Sequence, residues 1–190
     1  MTRPIRSFLF ASLDGYHETL DHEIGWQDVD DEFDTFDLAQ LDEAGTILLG
    51  RVTYEMFAGF WPTPAALEAD PVRAKLLNSL PKTVVSRTLR EARWENTTII
   101  GADADAELRA LREQPGKDIL VLGSARLTAH LIQAGLLDEL QVMVCPVLLG
   151  RGIPAFPVAA QAGLELLRSR PFGNGNILLA YRPHPTPNQD

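Results

Sequence analysis

Short apolar runs alternate along the chain with stretches in which apolar residues recur every three or four positions. The first pattern predicts buried strands, and the second predicts helices with one face toward a core. The runs predict strands over residues 5–12, 46–49, 82–86, 97–100, 118–122, 139–147, 164–172 and 177–182. The recurring stretches predict helices over residues 31–43, 51–60, 70–80, 104–113 and 125–134. Residues 16–30 carry no clean period and are predicted to form a long loop.

The order of these elements predicts the fold class. Short connections between a strand and the next helix imply parallel strands joined by crossover helices. The turn sequence GNGN at residues 173–176 predicts a hairpin between the last two strands, because Asn-Gly readily adopts the positive backbone angles of a tight turn. We therefore predict an α/β fold with a mixed, mostly parallel sheet and a C-terminal antiparallel hairpin. No repeat or linker interrupts the pattern, so we predict one domain over residues 1–183 and a disordered tail over 184–190.

The composition excludes several classes of partner. Hydrophobic residues make up 45% and charged residues 23%, which is typical of a soluble globular protein, and we expect a cytoplasmic location. The net charge of −9 disfavours nucleic acid and anionic membrane surfaces, whose binding depends on clustered cations. No apolar run reaches the about 18 residues of a transmembrane helix. Cys145 is the only cysteine, so neither an internal disulfide nor a cysteine metal cluster is predicted, and no metal site is expected.

Three predicted strands end in glycine, hydroxyl and arginine residues. The carboxyl ends of parallel strands collect ligands, and the helix amino termini beside them favour anions. Each segment alone is also compatible with an ordinary turn, but together they predict sites for a pyrophosphate and for a further phosphate near two arginines. No G-x-G-x-x-G or Walker pattern occurs, so neither of those nucleotide folds is predicted. The residues are Gly50, Arg51 and Thr53 at the first end, Ser86 and Arg87 at the second, and Gly123, Ser124 and Ala125 at the third.

The motifs resemble those of the dihydrofolate reductase fold, and most closely its branch of riboflavin biosynthesis (RibD) C-terminal reductase domains. The resemblance covers about residues 4–183 and rests on SLDG, LLGRVTYE, the Ser-Arg strand end, LVLGSARLTAHLIQAGLLDEL and PVLLGRGIPAF. It implies a three-layer α/β fold that binds NADPH at the carboxyl edge of its sheet. It also implies a small-molecule substrate and, by analogy with other members of the family, a homodimer formed through the late apolar strands.

The resemblance implies a role for each strand end. Arg51 and Thr53 would bind the adenosine phosphates, and Ser86 and Arg87 would lie on the side of the 2′-phosphate. The third end, Gly123 to Ala125, would bind the pyrophosphate. Dihydrofolate reductases carry Gly-Gly joined by a cis peptide at this third position, whereas this chain has Gly-Ser. Whether the cis bond persists is open at this point, since a cis bond before a residue other than proline costs about 2.5–4 kcal/mol.

Four residues are candidates for the substrate side. Asp34 precedes Gly50 by a spacing similar to that of the reductase acid, although acidic residues in a first helical turn also stabilise the helix electrostatically. Asp14 follows the first strand near the expected nicotinamide and is equally suited to a turn before glycine. Trp26 is a candidate lid residue or a packing residue, and Arg151 is a candidate for an anionic group of the substrate.

These features favour an NADPH-dependent reductase that transfers hydride to a small heterocycle or carbonyl compound. The alternatives are dihydrofolate or pteridine reduction, and a protein that binds NADP without turnover. The zinc deaminase that accompanies this reductase domain in riboflavin biosynthesis is excluded, because the chain has neither H-x-E nor P-C-x-x-C.

Overall fold

The computed structural model describes residues 2–156 and 162–185. These residues form two compact units, of which the first contains 2–5 and 37–124 and the second contains 6–36, 125–156 and 162–185. The strands are β1 Ile5–Ser12, β2 Tyr16–Glu18, β3 Ala44–Gly50, β4 Lys82–Val85, β5 Thr97–Ile100, β6 Asp118–Leu122, β7 Glu139–Cys145, β8 Ile153–Pro154, β9 Ala162–Pro171 and β10 Ile177–Pro185. The helices are α1 Asp31–Glu43, α2 Arg51–Phe60, α3 Pro64–Ala69, α4 Pro71–Ser79, α5 Ala104–Glu113 and α6 Ala125–Gln133.

The first unit is built on four parallel strands. Strand β3 lies between β4 and β6, and β5 pairs with the far side of β4. The apolar runs of β3 and β6 are fully buried, as expected for parallel strands covered on both faces. Strand β3 runs directly into α2, so the residues after Gly50 enter the first turn of a helix. This junction forms the first of the three strand ends.

The second unit combines a parallel pair with an antiparallel hairpin. Strand β1 is parallel to β7, β10 is antiparallel to β7, and β9 is antiparallel to β10. Phe8 and Phe10 of β1 pack against Phe33 of α1, with ring centroids 6.0 and 5.2 Å from the Phe33 ring. Phe36 continues this aromatic cluster to Phe172 at the end of the hairpin, at 5.9 Å. The apolar periodicity of α1 therefore reflects packing on β1 and the hairpin.

The predicted elements are all present, with small shifts at their ends. The chain has the predicted mixed α/β fold, with mostly parallel strands and a C-terminal antiparallel hairpin. Gly175 has a φ of 89° in the turn, and its N–H donates to the carbonyl of Phe172 at 3.0 Å. The long-loop prediction is wrong for Tyr16–Glu18, which pair with β8, and helix α3 was not predicted. Strand β10 continues to Pro185, and the rest of the predicted tail, 186–190, lies outside the described residues.

Candidate functional site

The first strand end presents an uncapped helix amino terminus. Gly50 is the N-cap of α2 and has no side chain that could accept a hydrogen bond from the amides that follow it. The first amides of a helix have no partner within the helix, and the helix dipole makes this end electropositive. Thr53 lies in this first turn and is half-buried. The backbone and the Thr53 hydroxyl are thus available to an anion.

Arg51 at this end is engaged within its own helix. Its Nη1 donates to Oε2 of Glu55 at 2.7 Å, and 44% of the Arg51 side chain is exposed. Exposed ion pairs one turn apart are weak, about 0.3–0.5 kcal/mol. A phosphate could therefore displace Glu55, but the pair reduces the positive charge that Arg51 offers.

At the second strand end, a serine side chain closes a turn and the arginine that follows it is exposed. The Oγ of Ser86 accepts hydrogen bonds from the N–H groups of Thr88 at 3.2 Å and Leu89 at 2.9 Å, which closes a turn after β4. Arg87 is exposed and forms no hydrogen bond or ion pair with any described residue. The turn therefore leaves the Arg87 guanidinium available for an anionic ligand.

Buried contacts anchor the loop that carries Arg87. The backbone N–H of Trp94 donates to the hydroxyl of Tyr54 at 3.0 Å, and its indole N–H donates to Oδ1 of Asn78 at 2.6 Å. Trp94 is 3% exposed. Nζ of the buried Lys82 lies 4.4 Å from the centre of the Trp94 ring. Sequence reasoning missed this network, because isolated Tyr, Asn, Lys and Trp residues carry no periodic signal.

The third strand end meets the first through a serine hydroxyl. Gly123 and Ser124 both have positive φ angles, 56° and 55°. Ser124 Oγ accepts from the N–H of Gly50 at 2.8 Å and donates to Oγ1 of Thr53 at 2.9 Å. Every peptide bond of the described residues is trans, so the bond between Gly123 and Ser124 is trans as well. Ala125 is buried as the first residue of α6.

Asp14 is engaged as the anchor of a loop. Its Oδ1 accepts from the Ser12 hydroxyl at 2.6 Å and from the N–H of Leu149 at 3.1 Å, and its Oδ2 accepts from the N–H of Gly150 at 2.7 Å. These hydrogen bonds, chiefly that from Ser12, lower the pKa of Asp14 below its ordinary value. A carboxylate that stays ionised and accepts three hydrogen bonds is poorly suited to donate a proton at neutral pH.

Helix α1 carries the candidate acid Asp34 and a more deeply buried carboxylate. Asp30 caps the helix by accepting from the N–H of Phe33 at 2.8 Å, and Asp34 follows half-buried in the first turn. Asp37 is only 8% exposed and accepts from Nε of Arg73 at 2.8 Å. Because Asp37 is buried in an ion pair, its contacts indicate a structural role that the sequence pattern did not distinguish from the neighbouring acids.

The remaining substrate candidates differ in their surroundings. Trp26 is partly buried, and its indole N–H has no acceptor among the described residues. The nearby carbonyl of Asp28 accepts from Nδ2 of Asn174 at 3.1 Å and of Asn176 at 2.7 Å, so the β9–β10 turn holds this segment. Arg151 is exposed and has no ionic partner among the described residues.

Three other features bear on what the described part of the chain can do. Residues 2–156 and 162–185 contain no group of three or more His, Cys, Asp or Glu residues arranged to hold a metal ion. Over the same residues, none of the helices has the length and apolar character needed to cross a membrane. Burial raises the pKa of the Cys145 thiol to about 11, so it is protonated at neutral pH and is not a ready nucleophile.

The architecture belongs to the dihydrofolate reductase type. The dihydrofolate reductase of Enterococcus faecalis, solved with NADP(H) and RAB-propyl, matches with a TM-score of 0.66 and 12% identity, over 97% of this chain and 99% of that one. A protein assigned to riboflavin biosynthesis from Shewanella sp. PV-4 matches with a TM-score of 0.70 and 21% identity, over 97% and 99% of the two chains. At these identities the likenesses establish the fold.

Sequence similarity establishes the family. The RibD C-terminal domain matches residues 3–178. The protein YyaP of Bacillus subtilis strain 168 is 32% identical over 175 residues, which cover 91% of each chain. The chain therefore belongs to the RibD C-terminal domain family, and this membership supports an enzyme of the oxidoreductase class.

Proposed function

We propose that the protein is an NADPH-dependent reductase of a small heterocyclic or carbonyl substrate. The observation that carries the proposal is the set of hydrogen-bond donors and the guanidinium suited to bind an anion, which lie in the first unit of a RibD C-terminal domain protein. Gly50, Thr53 and Ser124 are joined by hydrogen bonds beside the uncapped end of α2. Arg87 adds a guanidinium without a described partner in the same unit. In a chain with a net charge of −9, hydrogen-bond donors and an exposed guanidinium at strand ends of one unit favour an anionic ligand there.

The donor set has the chemistry that a phosphorylated dinucleotide requires. Free helix amides and a hydroxyl suit a pyrophosphate, and a guanidinium suits a phosphate monoester. We assign the pyrophosphate to Thr53 with Gly123, Ser124 and Ala125, and the 2′-phosphate to Arg87, with Ser86 shaping its loop and Arg51 contributing. The bound cofactor would supply the hydride, and the chain would hold its phosphates. The Enterococcus faecalis relative was solved with NADP(H), which supports this choice of cofactor.

The substrate side is assigned to residues of the second unit. Trp26 has a buried indole N–H without an acceptor among the described residues, and Arg151 has an exposed guanidinium. Of the two candidate acids, we assign the substrate side to Asp34, because the hydrogen bonds to Asp14 favour the ionised form of Asp14. Reduction of dihydrofolate or another pteridine is the second candidate function, favoured by the fold of the Enterococcus faecalis enzyme.

Titration of the purified protein with NADPH and with NADH tests the proposal. We expect saturable quenching of tryptophan fluorescence with both cofactors and at least tenfold tighter binding of NADPH, since a phosphate paired with arginine contributes about 1.5–3 kcal/mol. Trp26, Trp61 and Trp94 provide the signal. Lack of binding to either cofactor would overturn the proposal. Binding without NADPH consumption across a panel of pyrimidines, pteridines and carbonyl compounds would instead favour a binding protein without turnover.

We also propose that the chain forms a homodimer through β9. This strand is ten residues long, pairs only with β10 among the described strands, and exposes Leu164 by 46% and Leu166 by 54%. A long edge strand with exposed apolar side chains can pair with another chain. The partner would be a second copy, whose equivalent edge has the same apolar character.

Light scattering after size-exclusion chromatography tests the dimer. We expect a mass of twice 21.0 kDa for the wild type and of one chain for Leu166→Lys, because the added charge would be buried at the interface. Leu148→Lys is the matched control, since Leu148 is 70% exposed in a loop outside β9. A monomeric wild type, or a Leu166→Lys variant that remains dimeric, would argue against this interface.

A further inference from the structure

The hydroxyl of Ser124 links the ends of two strands in a short chain of hydrogen bonds. The Gly50 N–H donates to Ser124 Oγ at 2.8 Å, and the Ser124 hydroxyl donates to Thr53 Oγ1 at 2.9 Å. All three residues lie within the first unit. Ser124 is 9% exposed, so its hydroxyl is largely withdrawn from solvent. The serine therefore contacts two parts of the candidate cofactor site while offering little surface to a ligand.

The direction of these hydrogen bonds determines what Thr53 can do. A backbone N–H can only donate, so Ser124 Oγ accepts from Gly50, and in the hydrogen bond between the two hydroxyls Ser124 is the donor and Thr53 the acceptor. Thr53 Oγ1 then acts as an acceptor on that side, and no hydrogen bond of its own hydroxyl hydrogen to a described residue is present. Hydrogen bonds in series polarise one another, so the Thr53 hydroxyl at the end of this series becomes a stronger donor. That donor lies in the first turn of α2, where no side chain caps the amides.

We propose that Ser124 is a positioning residue that orients the Thr53 hydroxyl as a hydrogen-bond donor to a phosphate oxygen shared by NADPH and NADH. This inference rests on the proposed cofactor function. It assigns the Ser124 side chain an indirect role, in which the hydroxyl acts through Thr53 and only the backbone of Ser124 would contact the pyrophosphate.

The backbone conformation separates this role from a purely structural one. Ser124 has a φ of 55°, a region that favours glycine over residues with a Cβ. If the residue only shaped the turn, glycine would perform at least as well. A serine in this conformation is accounted for by its hydroxyl, which contacts Gly50 and Thr53.

The test is a double-mutant cycle with cofactor dissociation constants as the readout. Ser124→Gly should change the thermal midpoint by less than about 3 °C, because glycine suits the turn. It should nevertheless weaken NADPH and NADH equally, by about tenfold, because the Thr53 donor loses its orientation. Thr53→Val should weaken both cofactors by at least as much. The double variant should bind no more weakly than Thr53→Val, and Thr53→Ser should retain most of the affinity.

Each alternative result identifies what has failed. Additive losses, about hundredfold in the double variant, would show that Ser124 acts independently of Thr53 and would overturn the relay. Unchanged affinity of Ser124→Gly would overturn it as well. A wild-type protein that binds neither cofactor would overturn the proposed function and this inference with it, so the two failures are distinguishable.

Discussion

Replacing Arg87 with glutamine is expected to weaken NADPH binding by about tenfold or more while NADH binding stays within about twofold, because only NADPH carries the 2′-phosphate. Arg87 is exposed and has no ionic partner among the described residues, so its charge is available to that phosphate. The measurement is a fluorescence titration of wild type and variant with each cofactor. Since the guanidinium is exposed, increasing salt should reduce the selectivity for NADPH.

The neighbouring candidate Arg51 provides an internal comparison. Arg51→Gln should cause a smaller loss than Arg87→Gln, because the Arg51 guanidinium is already paired with Glu55 at 2.7 Å. Lys75→Gln is the control for the loss of one positive charge, since Lys75 is exposed on α4 and is not part of the candidate site. If Arg87→Gln weakened NADPH and NADH equally, Arg87 would not be the residue that distinguishes the two cofactors.

Replacing Lys82 with methionine is expected to lower the free energy of unfolding by about 3 kcal/mol. Lys82 is 1% exposed, and its Nζ donates to the carbonyls of Leu77 at 2.7 Å, Leu80 at 2.7 Å and Asn78 at 3.2 Å. These carbonyls lie at the carboxyl end of α4, where backbone acceptors lack partners within the helix. Methionine preserves the length and apolar stem of the side chain but removes all the donors. Denaturant unfolding of wild type and variant measures the difference.

The pH dependence of that difference provides a second readout. Burial lowers the pKa of Lys82 from 10.5 to about 8. Between these two pKa values the unfolded chain binds more protons than the folded chain. The contribution of Lys82 to the free energy of unfolding is therefore smallest near pH 8 and rises as the pH increases to about 10.5. The difference in stability between wild type and Lys82→Met should therefore increase from pH 8 to about pH 10.5, while groups common to both proteins cancel.

Lys75→Met is the matched control for this experiment. It makes the same chemical change on the exposed face of α4 and should alter stability by less than about 0.5 kcal/mol. A Lys82→Met variant as stable as this control would show that the carbonyls of α4 are satisfied without the lysine. Parallel pH profiles for wild type and Lys82→Met would show that its pKa is not lowered.

Local sequence patterns were sufficient for the regular elements but not for the shortest ones. The apolar runs of β3 and β6 and the spacing of Phe33 and Phe36 reflect burial that repeats along an element, and repetition is what a period detects. Strands β2 and β8 have three and two residues, too few to show any period. Helix α3 begins with a Thr63 cap and Pro64 at its first position, signals that are clear only once the element is known.

The order of strands and helices, the hairpin at residues 173–176 and the three strand ends could be predicted from the sequence, because each depends on neighbouring residues. The partner of each polar side chain became known only from the folded chain. The tertiary structure placed Ser124 between Gly50 and Thr53, engaged Asp14 with Leu149 and Gly150, and left Arg87 without a described ionic partner. Hydrogen bonds between residues that are distant along the chain depend on how the chain folds back on itself, and a single sequence contains no local signal for such contacts.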